Sequence, residues 1–136
     1  MLLEDGNTEF KEVYVNDVKK EVVAFTNTDG GTIYIGISDD GKVVGLDHLD
    51  SVMTQALNAL KDGIKPDVMP FVKISSVELE GKNVVKIEVA TGTNKPYYLS
   101  DKGLKPSGVY VRKGSSSQPV SDEAIREIII QTSGIS

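Results

Sequence analysis

The sequence predicts an α+β fold: a mixed, largely antiparallel sheet with about three helices. Three observations lead there. Two segments, Val15 to Asn27 and Leu49 to Leu60, carry apolar residues at helical spacing. Several shorter segments alternate apolar and polar residues or read as hairpins, with turn residues between them. These two kinds of segment mingle without the regular strand–helix–strand spacing of a parallel sheet.

In chain order, "TEFKEVY" (Thr8 to Tyr14) alternates as a first strand, and the pattern then becomes helical with Val15, Val18, Val22 and Phe25 on one face. Asn16 is placed to cap that helix, and Asp29-Gly30-Gly31 ends it because glycine accepts the left-handed conformation of a C-cap. "TIYIGIS" reads as a strand with Ile33, Ile35 and Ile37 on one side and Tyr34 and Gly36 on the other. The turn "DDGK" returns it to "VVGL" as a hairpin. Asp47 precedes a second helix whose Leu49, Val52, Met53, Ala56, Leu57 and Leu60 form an apolar stripe, stopped by Gly63 and Pro66. Phe71 to Val89 is β throughout, turning at "EGKN". The Gly-, Pro- and Lys-rich stretch from Ala90 to Gly108 reads as surface loop with a short extended piece at Tyr97 to Leu99. "VYVRKGSSS" is a further strand and turn, with Val109 and Val111 inward and Tyr110 and Arg112 outward. Ser121 caps a final helix that has Asp122 and Glu123 in its first turn.

The 136 residues make one domain, residues 1–136, long enough to bury roughly two-thirds of the surface that the unfolded chain exposes. The absence of cysteine excludes disulfides, zinc–thiolate centres and thiol nucleophiles, and it fits a reducing cytoplasm, the expected location. No apolar run approaches the roughly 18 residues of a membrane span, so no membrane partner is expected. No GxxxxGK[ST] or GxGxxG occurs, which removes a phosphate loop, and the single histidine, His48, sits at a helix start without a triad around it. The net charge of −5 opposes nonspecific coating of nucleic acid, yet the charge is unevenly spread. Residues 1–50 hold eleven acids and four bases, whereas residues 95–120 hold five bases and only Asp101, which separates a cation-attracting end from a phosphate-attracting end.

Two sets of residues are candidates for chemistry. Glu4, Glu9 and Asp39, with Asp40 in reserve, are hard oxygen donors of the kind that Mg²⁺ and Mn²⁺ take, and an ion so held would polarise a phosphodiester. Asp-Asp-Gly is equally ordinary turn chemistry, and both readings stand. Lys11, on the face of Glu9, is either a phosphate ligand or a partner in an ion pair. The second set is basic: Lys95, Lys102, Lys105, Arg112 and Lys113, with Ser115 and its neighbouring serines as donors and Tyr97, Tyr98 and Tyr110 as stacking surfaces for unpaired bases.

The order "TEFKEVY", "VVAFTNTDGGTIYIGISDDGKVVGL", "KPYYL" and "VYVRKGSSSQPVSDEAI" resembles the AlbA-like domain shared by Schlafen proteins and many bacterial transcriptional regulators and helicase-related proteins. The resemblance implies an α+β nucleic-acid-binding module, the N-terminal part of a longer protein with further C-terminal domains. It implies DNA or RNA as partner, and DNA binding in a transcriptional regulator as function. Some Schlafen members cleave RNA with a metal ion on three acids, and the matching positions here are Glu4, Glu9 and Asp39, beside Lys11. An endoribonuclease using Mg²⁺ or Mn²⁺ is therefore the alternative. Those nucleases pair two copies of the fold, so a homodimer of this chain would supply the second. Ser38 stands where they commonly carry another acid.

Overall fold

A computed structural model describes residues 3–134. The elements run β1 (Thr8–Lys11), α1 (Asp17–Asn27), β2 (Gly31–Ile35), α2 (Leu49–Gly63), β3 (Ile64–Lys65), a 3₁₀ turn (Met69–Phe71), β4 (Val72–Leu79), β5 (Lys82–Val89), β6 (Tyr98–Leu99), β7 (Tyr110–Lys113), β8 (Ser116–Pro119) and α3 (Asp122–Ser133). The main sheet has the order β1-β2-β5-β4, with β1 parallel to β2 and the other pairs antiparallel. Two small antiparallel pairs, β3 with β6 and β7 with β8, complete an α+β architecture.

The two faces of the sheet differ. Ile33, Ile35, Val85, Ile87 and Val89 meet Val18, Val22 and Phe25 of α1 and Ala56 and Leu60 of α2 in the larger core. Each fully buried Val, Ile, Leu or Phe among them contributes roughly 1.5–3 kcal/mol of transfer free energy. On the other face Phe10, Ile37, Val43 and Val84 form a smaller cluster beside Tyr34, Val77 and Leu79. Ile37 thus lies opposite Ile33 and Ile35, not beside them. The strand ends at Ile35, and Gly36, at φ +114°, swings the chain over so that the Ser38 to Lys42 turn is carried to the Phe10 face. The expected hairpin forms there in short form: the Ile37–Val43 bridge is flanked by Ser38 N–H to Lys42 O at 2.9 Å and Val44 N–H to Gly36 O at 2.8 Å.

Other boundaries moved for similar local reasons. β1 stops at Lys11, three residues short of Tyr14, because β2, its parallel partner, ends at Ile35 opposite Lys11. Asn16 precedes α1 but makes no side-chain cap bond, and Val15 is exposed, so the buried stripe of α1 begins at Val18. His48, not Asp47, is the residue before α2. Gly30 does close α1, at φ +75° with its N–H bonded to Phe25 O. The β4–β5 turn falls on Glu80-Gly81, both at positive φ, as a two-residue turn between twisted strands requires. Ser121 caps α3 by accepting the Ala124 N–H at 3.1 Å. No helix is long and apolar enough to cross a membrane among the described residues.

Candidate functional site

Strand β1 sits at the edge of the sheet, and its alternation points Glu9 and Lys11 toward α1. There they meet Glu21 of α1 and Arg112 of β7 in one largely buried cluster. Arg112 Nη1 lies 2.9 Å from Glu9 and 3.5 Å from Glu21, and Lys11 Nζ lies 2.9 Å from Glu21 and 3.7 Å from Glu9. The Ser117 hydroxyl donates to Glu21, and Arg112 Nη1 donates to the Ser117 oxygen at 3.2 Å. The guanidinium plane also packs 4.7 Å from the centre of the Phe25 ring, a contact an ammonium would not match.

The same groups close the outer edge of β1. Phe10 N–H donates to Glu4 Oε2 at 3.0 Å, and Arg112 Nη2 donates to Asp5 O at 3.1 Å and to Thr8 O at 3.5 Å. Of these, Phe10 N–H is a group that the edge strand leaves without a ladder partner, while Asp5 and Thr8 already bond to each other's backbone. Burial, above all, pushes the Glu9 carboxyl up to about 7, helped by a hydrogen bond with Glu4 and the Glu21 charge; Arg112 opposes the shift without cancelling it. Burial works to lower the Lys11 ammonium, but Glu21, then Glu9 and Asp17, outweigh it and leave it raised.

Of the acidic set, the fold brings Glu4 and Glu9 together and leaves Asp39 apart. Asp39 is exposed on the turn after Gly36, which packs on the Phe10 face, while Glu9 faces α1. Asp40 belongs to that turn as well; the Ser38 hydroxyl that donates to it holds its carboxyl below the ordinary value. Among the described residues no three His, Cys, Asp or Glu side chains gather in a way that would hold a metal ion. The divalent centre that the resemblance implies does not fit this arrangement, because both oxygens of Glu9 face Lys11 and Arg112 and one oxygen of Glu4 is bonded to the backbone.

The basic set divides too. Arg112 is buried and points inward, contrary to the alternation expected of "VYVRK", because α1 rather than the main sheet covers that face of β7 and offers it Glu21. Tyr97 is also buried, its hydroxyl accepting Asn94 N–H at 3.0 Å, so it is no stacking surface. Lys102, Lys105, Lys113 and Ser115 are exposed, and Lys95, Tyr98 and Tyr110 are half-buried. The loop from Leu99 to Val109 is folded on itself: Lys105 O accepts the N–H groups of Gly108 and Val109, which fixes Lys105 close to Tyr110. Lys20 of α1, which sequence alone did not single out, has its Nζ 5.8 Å from the centre of the Tyr110 ring and adds a cation there.

The Asn27-Thr28 pair, too, has a role that no spacing could reveal. The Asn27 amide donates to Tyr97 O at 3.0 Å and Tyr110 O at 2.9 Å, and its oxygen accepts Tyr97 N–H at 2.7 Å. Thr28 Oγ1 accepts Arg112 N–H at 2.9 Å. One helix end thus fixes both the loop that leads to the exposed lysines and the strand that carries Arg112.

Comparison with known proteins agrees with this architecture. In solved structures the fold is similar to a protein from Corynebacterium diphtheriae, at 20% identity and a TM-score of 0.64, covering 93% of this chain and 24% of that one. This chain therefore spans about a quarter of that protein's length. It is also similar to the N-terminal domain of an ATP-dependent DNA helicase RecG-related protein from Nitrosomonas europaea, at 25% identity and a TM-score of 0.61, covering 82% of this chain and 80% of that one. With residues 4–121 matching the family described as Schlafen, AlbA_2, from Glu4 beside β1 to the Ser121 cap of α3, the chain belongs to that family.

Proposed function

We propose that this domain binds nucleic acid, with DNA as the partner and a bacterial transcriptional regulator as the setting. The observation that carries the reading is the exposure of Lys102, Lys105 and Lys113, with the half-buried Lys95 on the same loop stretch and Lys20 beside the Tyr110 ring, in a chain of net charge −5. The acids that would repel phosphate from β7, Glu9 and Glu21, are turned inward and paired with Lys11 and Arg112. Family membership supports the same reading, as does the helicase-related name of one structural neighbour.

In this reading the lysines neutralise phosphates and release their counterions, and Tyr110 and Ser115 position the backbone. Arg112 takes no part in the contact; it holds β7 in place. The test is fluorescence anisotropy with a labelled DNA duplex and a structured RNA of equal length. Reversing two charges, Lys102→Glu with Lys105→Glu, should weaken binding at least tenfold, about 1.4 kcal/mol, with the fold intact by circular dichroism. Unchanged affinity in that variant would overturn the assignment.

A further inference from the structure

We infer that Arg112 is the built-in cation of the Glu9–Glu21 carboxylate pair beside Glu4, so that in this chain these acids anchor the β7–β8 hairpin and take no divalent ion. The inference concerns the anchor alone and stands whether or not the lysine surface binds nucleic acid. It rests on how the oxygens are used. Glu9 Oε1 faces Arg112 at 2.9 Å and Oε2 faces Lys11 at 3.7 Å. Glu21 Oε1 meets Arg112 at 3.5 Å and accepts the Ser117 hydroxyl, while Oε2 meets Lys11 at 2.9 Å. Glu4 Oε2 accepts Phe10 N–H. All four oxygens of the two inner carboxylates are therefore engaged by this chain's own donors. A hard cation needs about six oxygens, and here it would have to displace two fixed positive groups while meeting their repulsion at contact distance.

The positive groups are held more firmly than a surface pair would be. The side chain of Arg112 is 2% exposed, its plane lies on Phe25, its second amino group bonds Asp5 O and Thr8 O, and its backbone N–H is held by Thr28. Glu21 from α1 and Ser117 from β8, bonded to each other, both meet its Nη1. The guanidinium thus joins the edge of β1, the face of α1 and both strands of the hairpin through one side chain. A planar fork with several directed donors suits that junction, whereas a metal ion would ask the same carboxylates to turn away from it.

Manganese provides the probe, since its free aquo form has an electron paramagnetic signal that is lost on binding. Titrated into the wild-type protein to millimolar concentration, Mn²⁺ should keep the signal of a protein-free blank. Amide exchange across residues 110–119 should be the same with Mn²⁺ as with excess chelator. Arg112→Met, which keeps an unbranched apolar stem but removes the charge and the fork, should speed exchange in 110–119 about tenfold or more. Arg112→Lys should fall between the two, since it restores charge without the fork. A one-to-one Mn²⁺ site in the wild type that Glu9→Gln abolishes would overturn the inference, and so would unchanged exchange in Arg112→Met. Should Arg112→Met fail to fold, the wild-type titration still decides.

Discussion

Glu9 shows how one residue can be legible in kind and misread in use. Its position on a strand beside Lys11 followed from alternation, but the partner that matters most, Arg112, is more than a hundred residues away and arrives on β7. Alternation in "VYVRK" could not reveal it, because that rule assumes the main sheet supplies the inside, and here α1 does. The fold raises the Glu9 carboxyl from 4.5 to about 7, so between those values the native protein holds a proton that the unfolded chain has released. The sign follows: the contribution of Glu9 to stability is largest below about pH 4.5 and declines as pH rises toward 7. Thermal melts from pH 5 to pH 7.5 should therefore show a falling midpoint in the wild type and a flatter profile in Glu9→Gln. Parallel profiles for the two proteins would show that Glu9 is not the group responsible.

At the scale of elements, α1 is the organiser. Its apolar stripe meets the sheet, Glu21 receives Arg112 and Lys11, and Asn27 and Thr28 at its end fasten the backbone of Tyr97, just before β6, and that of β7. The stripe and the glycine stop were readable from spacing, as were the β4–β5 hairpin and the Ser121 cap, since each depends on residues close in sequence. The extended piece that became β6 was readable too, but its pairing with β3 and the crossing of Ile37 to the second face were not, because one depends on a distant partner and the other on a single dihedral at Gly36. Asp39 was lost to the carboxylate set through that same dihedral. Asn27→Ala would leave Tyr97 N–H and two carbonyls without partners in a buried place, a cost on the order of 3 kcal/mol. Chemical denaturation should show that loss with the slope against denaturant unchanged. A loss under about 0.5 kcal/mol would mean that the clasp contributes no more than an ordinary surface contact.

The whole molecule separates its charges by burial as much as by sequence. The acid-rich first half and the base-rich stretch from Lys95 to Lys113 were visible in composition, and that much of the site was legible. Which of those charges reach solvent was not, since Glu9, Glu21 and Arg112 neutralise one another inside while Lys102, Lys105 and Lys113 stay outside. An acidic protein with an exposed basic loop should bind phosphate locally and weakly, with affinity set by ionic strength. The most direct measurement is the affinity for a DNA duplex from low to physiological salt, in chelator. With about four lysines on phosphates, the logarithm of the binding constant should fall against that of the salt concentration with a slope of about −3.6, and Lys102→Glu with Lys105→Glu should flatten it. No measurable binding at low salt, or a slope near zero in the wild type, would contradict the nucleic-acid reading.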